Sequence, residues 1–151
     1  MKASLLFCLM IALIIGGCTK KTSTKIESDQ LEGTWNLVYA KAVGIDSTKA
    51  QYKLNYFGSQ MKTWSGNHFV FVGLFKQKTT YLDNFGGGTY KLTGNQYVES
   101  YLYNAAEDEV EMDIKMTLEI KHDTLVQSWP ADDNGNIDPK AYNVEKYIRM
   151  K

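Results

Sequence analysis

Few residues in this chain could carry chemistry, and their spacing is loose. His68 stands beside Phe69 in an apolar run, and His122 precedes Asp123. Order alone admits a Ser–His–Asp arrangement. A serine nucleophile is usually presented on a Gly-x-Ser-x-Gly elbow, however, and no such elbow occurs. His68 therefore reads as a polar residue at a strand end, and His122 with Asp123 as a turn pair. Asp132-x-Asn134-x-Asn136-x-Asp138 sets oxygen side chains at every second position, which suggests calcium. A calcium loop wants glycine sixth and a distal glutamate. Ile137 takes that sixth place and Gly135 comes too early, so the stretch reads as a solvated turn. Gly86-Gly87-Gly88 invites a phosphate-loop reading, but such a loop runs into a helix. Here Thr89-Tyr90-Lys91-Leu92 runs into a strand, and the triplet reads as a mobile loop leading into it. Glu107-Asp108-Glu109, with Glu111 and Asp113, reads as a solvated acidic edge. These residues yield no catalytic group, no metal site and no cofactor, and the expectation is a protein that is not an enzyme.

The elements around these residues are read from period and composition. The chain has 151 residues, 44% hydrophobic and 13% aromatic, enough for one domain with a real core. Its 17 basic and 17 acidic residues balance, which gives no pull toward nucleic acid. Met1-Lys2-Ala3-Ser4 precedes an apolar run from Leu5 to Ile15, too short to span a bilayer and shaped like a secretory signal. Residues 19–30 are polar and read as a flexible tether. The organising stretch is Leu31 to Tyr39. From Gly33 onward Trp35, Leu37 and Tyr39 fall on one face, and Thr34, Asn36 and Val38 on the other. That is a half-buried strand. Lys41 to Ala50 reads as a loop, and Tyr52 to Trp64 and His68 to Phe75 as strands, the latter apolar on both faces. Thr93-Gly94-Asn95 marks a hairpin between Thr89–Leu92 and Gln96–Tyr103. In that second strand Tyr97, Glu99, Tyr101 and Tyr103 share a face. Met112, Ile114, Met116, Leu118 and Ile120 alternate with polar residues, the antiparallel signature. Pro130 stops a strand running from Thr124 to Trp129, and Tyr142 to Met150 forms the last.

These add to eight or nine antiparallel strands with hairpin links and no convincing helix. Such a chain must close its sheet edges or protect them. An all-β antiparallel barrel closes them, and at about eight strands its interior either fills with side chains or holds one small ligand. A two-layer sandwich is the other arrangement the pattern allows.

Two resemblances add to this. Ile15-Gly16-Gly17-Cys18 resembles the bacterial lipobox. The resemblance implies a signal peptide over 1–17 and acylation of Cys18 on sulfur, as with palmitate, at the new N-terminus. Cys8 would leave with the signal, so the mature chain keeps no free thiol. Thr19, rather than aspartate, follows the cysteine, which points to the outer membrane. The protein's partner is then the lipid bilayer through Cys18, with 18–30 as lipidated tether and 31–151 as barrel. Gly33-x-Trp35 resembles the motif that opens lipocalins and related calycin barrels, where the Trp plugs the closed end and an Arg from the last strand lies on its ring. Arg149 holds that position here. Further landmarks are Asn67-His68-Phe69, Gly86-Gly87-Gly88-Thr89-Tyr90, Gly94-Asn95-Gln96-Tyr97, His122-Asp123-Thr124-Leu125 and Glu145-Lys146-Tyr147-Ile148-Arg149. In this order they resemble a family of small bacterial lipocalin-like lipoproteins of unestablished function. What the resemblance implies is a calycin-type barrel, with Trp35 and Arg149 as structural plug. The usual Gly-Asp before the penultimate strand is His122-Asp123 here, so the turn differs.

With Trp35 inward, the inward set is Leu37, Tyr39, Phe69, Phe71, Tyr90, Leu92, Tyr97, Tyr101, Ile114, Met116, Leu118, Trp129 and Tyr147. Tyr, Trp and Met suit a small apolar or aromatic guest. The expected function is binding of a small hydrophobic ligand in the cell envelope by a monomer, with Phe71, Tyr97, Tyr101, Met116 and Trp129 as the lining. The alternative is a solid barrel that acts as a protein–protein interaction module.

Overall fold

The computed structural model describes residues 25–45, 56–77, 79–105 and 112–151. The strands are β1 (Gly33–Val43), β2 (Tyr56–Ser65), β3 (His68–Gln77), β4 (Thr80–Thr93), β5 (Gln96–Asn104), β6 (Asp113–Lys121), β7 (Thr124–Trp129) and β8 (Tyr142–Arg149). Each pairs antiparallel with the next, and β8 returns to β1, so eight strands close into a barrel in simple sequence order. The sheet has no free edge, which removes the usual hazard of an open antiparallel sheet. Turns at Gly66, Gly94 and His122, each with positive φ, link strands at one end. The other connections, from β1 to β2, β3 to β4, β5 to β6 and β7 to β8, start and finish at the opposite end.

The alternation of side chains builds the core. Leu31, Trp35, Trp64, Tyr97, Leu118, Leu125 and Tyr147 are fully buried and fill the closed end. Trp35 and Trp64 meet edge to face with centroids 6.4 Å apart, as do Trp64 and Tyr147. Trp35 sits directly across from Arg149 in the β1–β8 register, and the guanidinium carbon lies 4.1 Å from the indole centroid. That guanidinium also donates to the carbonyls of Glu32 and Gln30, and Trp35 Nε1 donates to Leu31 O at 2.9 Å. Gly33 takes φ +102°, a backbone turn open chiefly to glycine, and this delivers the chain into β1 beneath Arg149.

Four expectations are corrected. Tyr39 does not face inward: it is 43% exposed, with Lys146 Nζ 5.1 Å from its ring centroid. The cause is a register shift between Leu37 and Tyr39, a bulge that resets the alternation so that Ala40 and Ala42 face inward instead. Tyr103 does not share the inward face of Tyr97 and Tyr101: it is 72% exposed, because a second shift, at Gly87/Gly88, leaves an extra residue in β5. Gly86-Gly87-Gly88 is no loop but the middle of the long strand β4. Gly86 and Gly88 lie opposite Phe71 and Phe69, and a Cβ on Gly86 would come within 2.6 Å of the Phe71 ring. The glycines make room for rings that lie against the wall. The packed structure also reaches back into the stretch read as tether: Ile26 is buried and its N–H donates to Gly94 O, and Ser28–Gln30 form a turn of 3-10 helix. Residues 46–50 of the linking stretch expected at Lys41 to Ala50, and residues 52–55 of the strand expected from Tyr52, lie outside the described residues. β1 itself continues to Val43.

Candidate functional site

Above the closed end the barrel is polar inside. β2 contributes Gln60 and Lys62 from the same face as Trp64. β5 contributes Glu99, between the inward Tyr97 and Tyr101. β7 contributes Gln127, between Leu125 and Trp129, and β8 contributes Asn143 and Glu145, on the face of Tyr147. All six polar side chains are buried. Lys62 Nζ donates to Glu99 Oε1 and more distantly, at 3.4 Å, to Gln127 Oε1. It also lies 5.0–5.7 Å from the ring centroids of Trp64, Phe69 and Phe71. Glu99 accepts two further bonds, from Tyr97 OH at 2.8 Å and Tyr101 OH at 3.0 Å. Tyr97 OH in turn accepts from Trp64 Nε1 at 2.7 Å. Burial drives the Lys62 ammonium below its ordinary pKa, and the charge and hydrogen bond of Glu99 oppose it. Burial raises the phenols of Tyr97 and Tyr101, reinforced by the Glu99 charge, so both are neutral donors.

A second chain of bonds runs beside the first. Asn84 Nδ2 donates to Gln60 Oε1, Gln60 Nε2 donates to Tyr147 OH, and Tyr147 OH donates to Glu145 Oε2, each at 2.6 Å. Desolvation pushes the Glu145 carboxyl up to about 7, although the Tyr147 hydrogen bond pulls the other way.

The two chains border one small cavity of about 20 Å³, lined by Gln60, Lys62, Phe71, Tyr101, Ile114, Met116, Trp129 and Glu145. Of the five residues named from the sequence as lining, the structure brings together Phe71, Tyr101, Met116 and Trp129. Tyr97 stands apart, because its hydroxyl is tied to Trp64 and Glu99 at the base. It borders instead a cleft of about 110 Å³ under the β7–β8 connection, with Lys115, Asp132 and Asp133. His68 and His122 are exposed at the closed end, away from this cavity. In the turn considered for calcium, the Asp132 carboxylate accepts from the backbone N–H groups of Asn134 and Asn136 and from the Asn136 side chain.

Composition and apolar periodicity did not reveal the polar layer. In β2 the eye follows Met61 and Trp64, which lie on opposite faces. Counting back by two from Trp64 gives Lys62 and Gln60. The same step from Tyr101, Trp129 and Tyr147 gives Glu99, Gln127 and Glu145. A polar residue two away from an inward aromatic is the signal.

The class these features define is a closed eight-stranded antiparallel β-barrel with an aromatic base and a buried ionisable layer. Compared with protein-family models and with curated proteins, the chain matches none.

Proposed function

We propose that the protein is a non-enzymatic binding protein of the cell envelope. Acylated Cys18 tethers it to the outer membrane, and the open half of its barrel takes a small, largely hydrophobic molecule. The observation that carries the reading is the convergence of Phe71, Tyr101, Ile114, Met116 and Trp129 on one cavity with Gln60, Lys62 and Glu145 beside them. An apolar wall with a few placed polar groups is how small-molecule sites are built. The buried polar layer supports it further, since buried ion pairs contribute little net stability and an apolar filling would hold the barrel as well. At about 20 Å³ the cavity has room for one water-sized group. Ligand sites usually span about 300–1,000 Å³, so anything larger than one such group enters only if the lining side chains move apart, and the packed interior is what the solid-barrel alternative expects. The sequence likeness to small lipocalin-like lipoproteins, and the signal run ending at Cys18, support the address.

Native mass spectrometry of the lipidated chain, extracted in mild detergent, tests this. A one-to-one small-molecule adduct is expected. A chain that carries none, and takes up no added alkyl or aromatic probe, defeats the reading.

One observation favours a second reading, an interaction module. The outer face of β3 carries Val70, Val72 and Leu74, all exposed. In register with Val72 stand Met61 on β2 and Phe85 on β4, also exposed. An apolar stripe across three strands is unusual on a monomer surface. If it docks an envelope protein, Val72→Lys with Phe85→Lys abolishes a crosslink to that partner and leaves any small-molecule adduct intact.

A further inference from the structure

Resting on the reading that the barrel interior takes a ligand, we propose that the ligand leads with a cationic hydrogen-bond donor, an ammonium or amidinium group, seated against Glu145 on β8. Among the described residues the buried interior holds one cation, Lys62, and two carboxylates, Glu99 and Glu145. Lys62 is committed. It faces Glu99, reaches Gln127 and sits among three rings. Glu99 is equally committed, with three donors on its two oxygens. Among the described residues no cation is bonded to Glu145, although Lys62 lines the same cavity, and its one donor is the Tyr147 hydroxyl, whereas an ionised carboxylate accepts about four hydrogen bonds.

Asn143 repeats the deficit one step nearer the mouth. It is 7% exposed, it does not line the cavity beside Glu145, and among the described residues its Oδ1 has no hydrogen-bond partner. Buried acceptors are ordinarily satisfied, and one left bare costs about 1–3 kcal/mol. Two under-donated acceptors therefore follow each other along one face of β8. The neighbouring strands do not supply them. On β1 the residues opposite Glu145 and Asn143 are Ala40 and Ala42, which have nothing to donate. On β7 they are Gln127 and Trp129. The Gln127 amide nitrogen points to Met116 Sδ at 3.8 Å, and the other titratable groups nearby, Tyr101 and Tyr147, already spend their hydroxyls on Glu99 and Glu145.

Size agrees with charge. The cavity beside Glu145 takes a group of about one water's volume. An ammonium has that size, and Phe71, Ile114, Met116 and Trp129 are the apolar part of the lining that its carbon chain would have to displace. Burial displaces the Glu145 carboxyl upward. A bound ammonium would hold the carboxylate ionised.

The test uses the full lipidated chain in lipid nanodiscs and three probes of equal length: n-hexylamine, hexanoate and 1-hexanol. Binding is read by tryptophan fluorescence, to which Trp129 at the cavity contributes. At pH 8 hexylamine is expected to bind at least about tenfold tighter than hexanoate or hexanol. Glu145→Gln, which keeps the side-chain shape, brings the three to parity. In the unsubstituted protein the preference fades between pH 8 and pH 5.5 as Glu145 takes up its proton, a readout that needs no variant. Equal binding of the three probes, tighter binding of hexanoate, or a preference that survives Glu145→Gln overturns this inference alone. If none of the three binds to a chain whose circular dichroism shows an intact barrel, the interior-ligand reading falls too.

Discussion

The base of the barrel and the layer above it are built to different standards. At the base, among the described residues, the buried side-chain polar atoms have partners: the Trp35 indole nitrogen meets Leu31 O, the Trp64 indole nitrogen meets Tyr97 OH, and the Arg149 guanidinium caps both a ring and two carbonyls. One turn of alternation higher, Lys62 is buried with Glu99, Glu145 keeps one donor, and Asn143 Oδ1 keeps none. Since both regions lie in the same barrel, on neighbouring positions of the same strands, the contrast is not one of fold. It teaches that the lower half holds the molecule together and the upper half tolerates cost.

The sharpest way to break this contrast is to remove one member of the upper ion pair. Glu99→Leu leaves the Lys62 ammonium buried without a counter-charge and takes the acceptor from Tyr97 and Tyr101. A loss of about 3–5 kcal/mol in chemical denaturation at pH 7 is expected. Lys62→Met with Glu99→Leu should recover most of it, because replacing both partners by apolar groups is often neutral or better.

Next comes Glu145, where the sign reverses. Its folded pKa, about 7, lies above the ordinary carboxyl value of 4.5. The folded state therefore binds the proton more tightly than the unfolded chain. The associated stability is fully present below the unfolded pKa. It is lost as pH rises through the folded value, with most of the loss between about pH 5 and pH 8. Glu145→Gln should flatten that slope and stabilise the protein at pH 8 by about 1–3 kcal/mol, with little change at pH 5. Urea titrations of both proteins at the two pH values check it, and a variant less stable at pH 8 would place Glu145 among the holding groups of the base.

The smallest effect belongs to the cap. Arg149→Met keeps an unbranched apolar stem beside Trp35 and removes the guanidinium and its charge. A loss of about 1–2 kcal/mol is expected from the ring contact and the carbonyl bonds, with no new dependence on pH. Thermal melts at pH 5 and pH 8 should shift by the same amount.

The closed antiparallel barrel was legible because alternation survives in nearly every strand. Met112 to Ile120 is the plainest case, and Gly33-x-Trp35 with Arg149 marks strands that must be neighbours once the ring closes. What alternation misled about was phase. Strict period two carried Tyr39 inward with Trp35 and Tyr103 inward with Tyr101, and each is turned out by one extra residue whose presence depends on the strand across from it. A bulge is a property of a pair of strands, so a single strand's letters do not announce it. The cavity wall was more legible than its floor for a similar reason: large apolar residues declare themselves, whereas Lys62, Glu99 and Glu145 become interior only once the phase of their aromatic neighbours is fixed.

The offset between Leu37 and Tyr39 reaches further than one misplaced tyrosine. Without it, Tyr39 and Lys41 would project inward where two methyl groups now do, bringing in a phenol and a second ammonium opposite Glu145 and Asn143. How much the vessel can hold, and of which sign, is therefore governed by a single step in the count of its first stave, while the amino acids themselves stay the same.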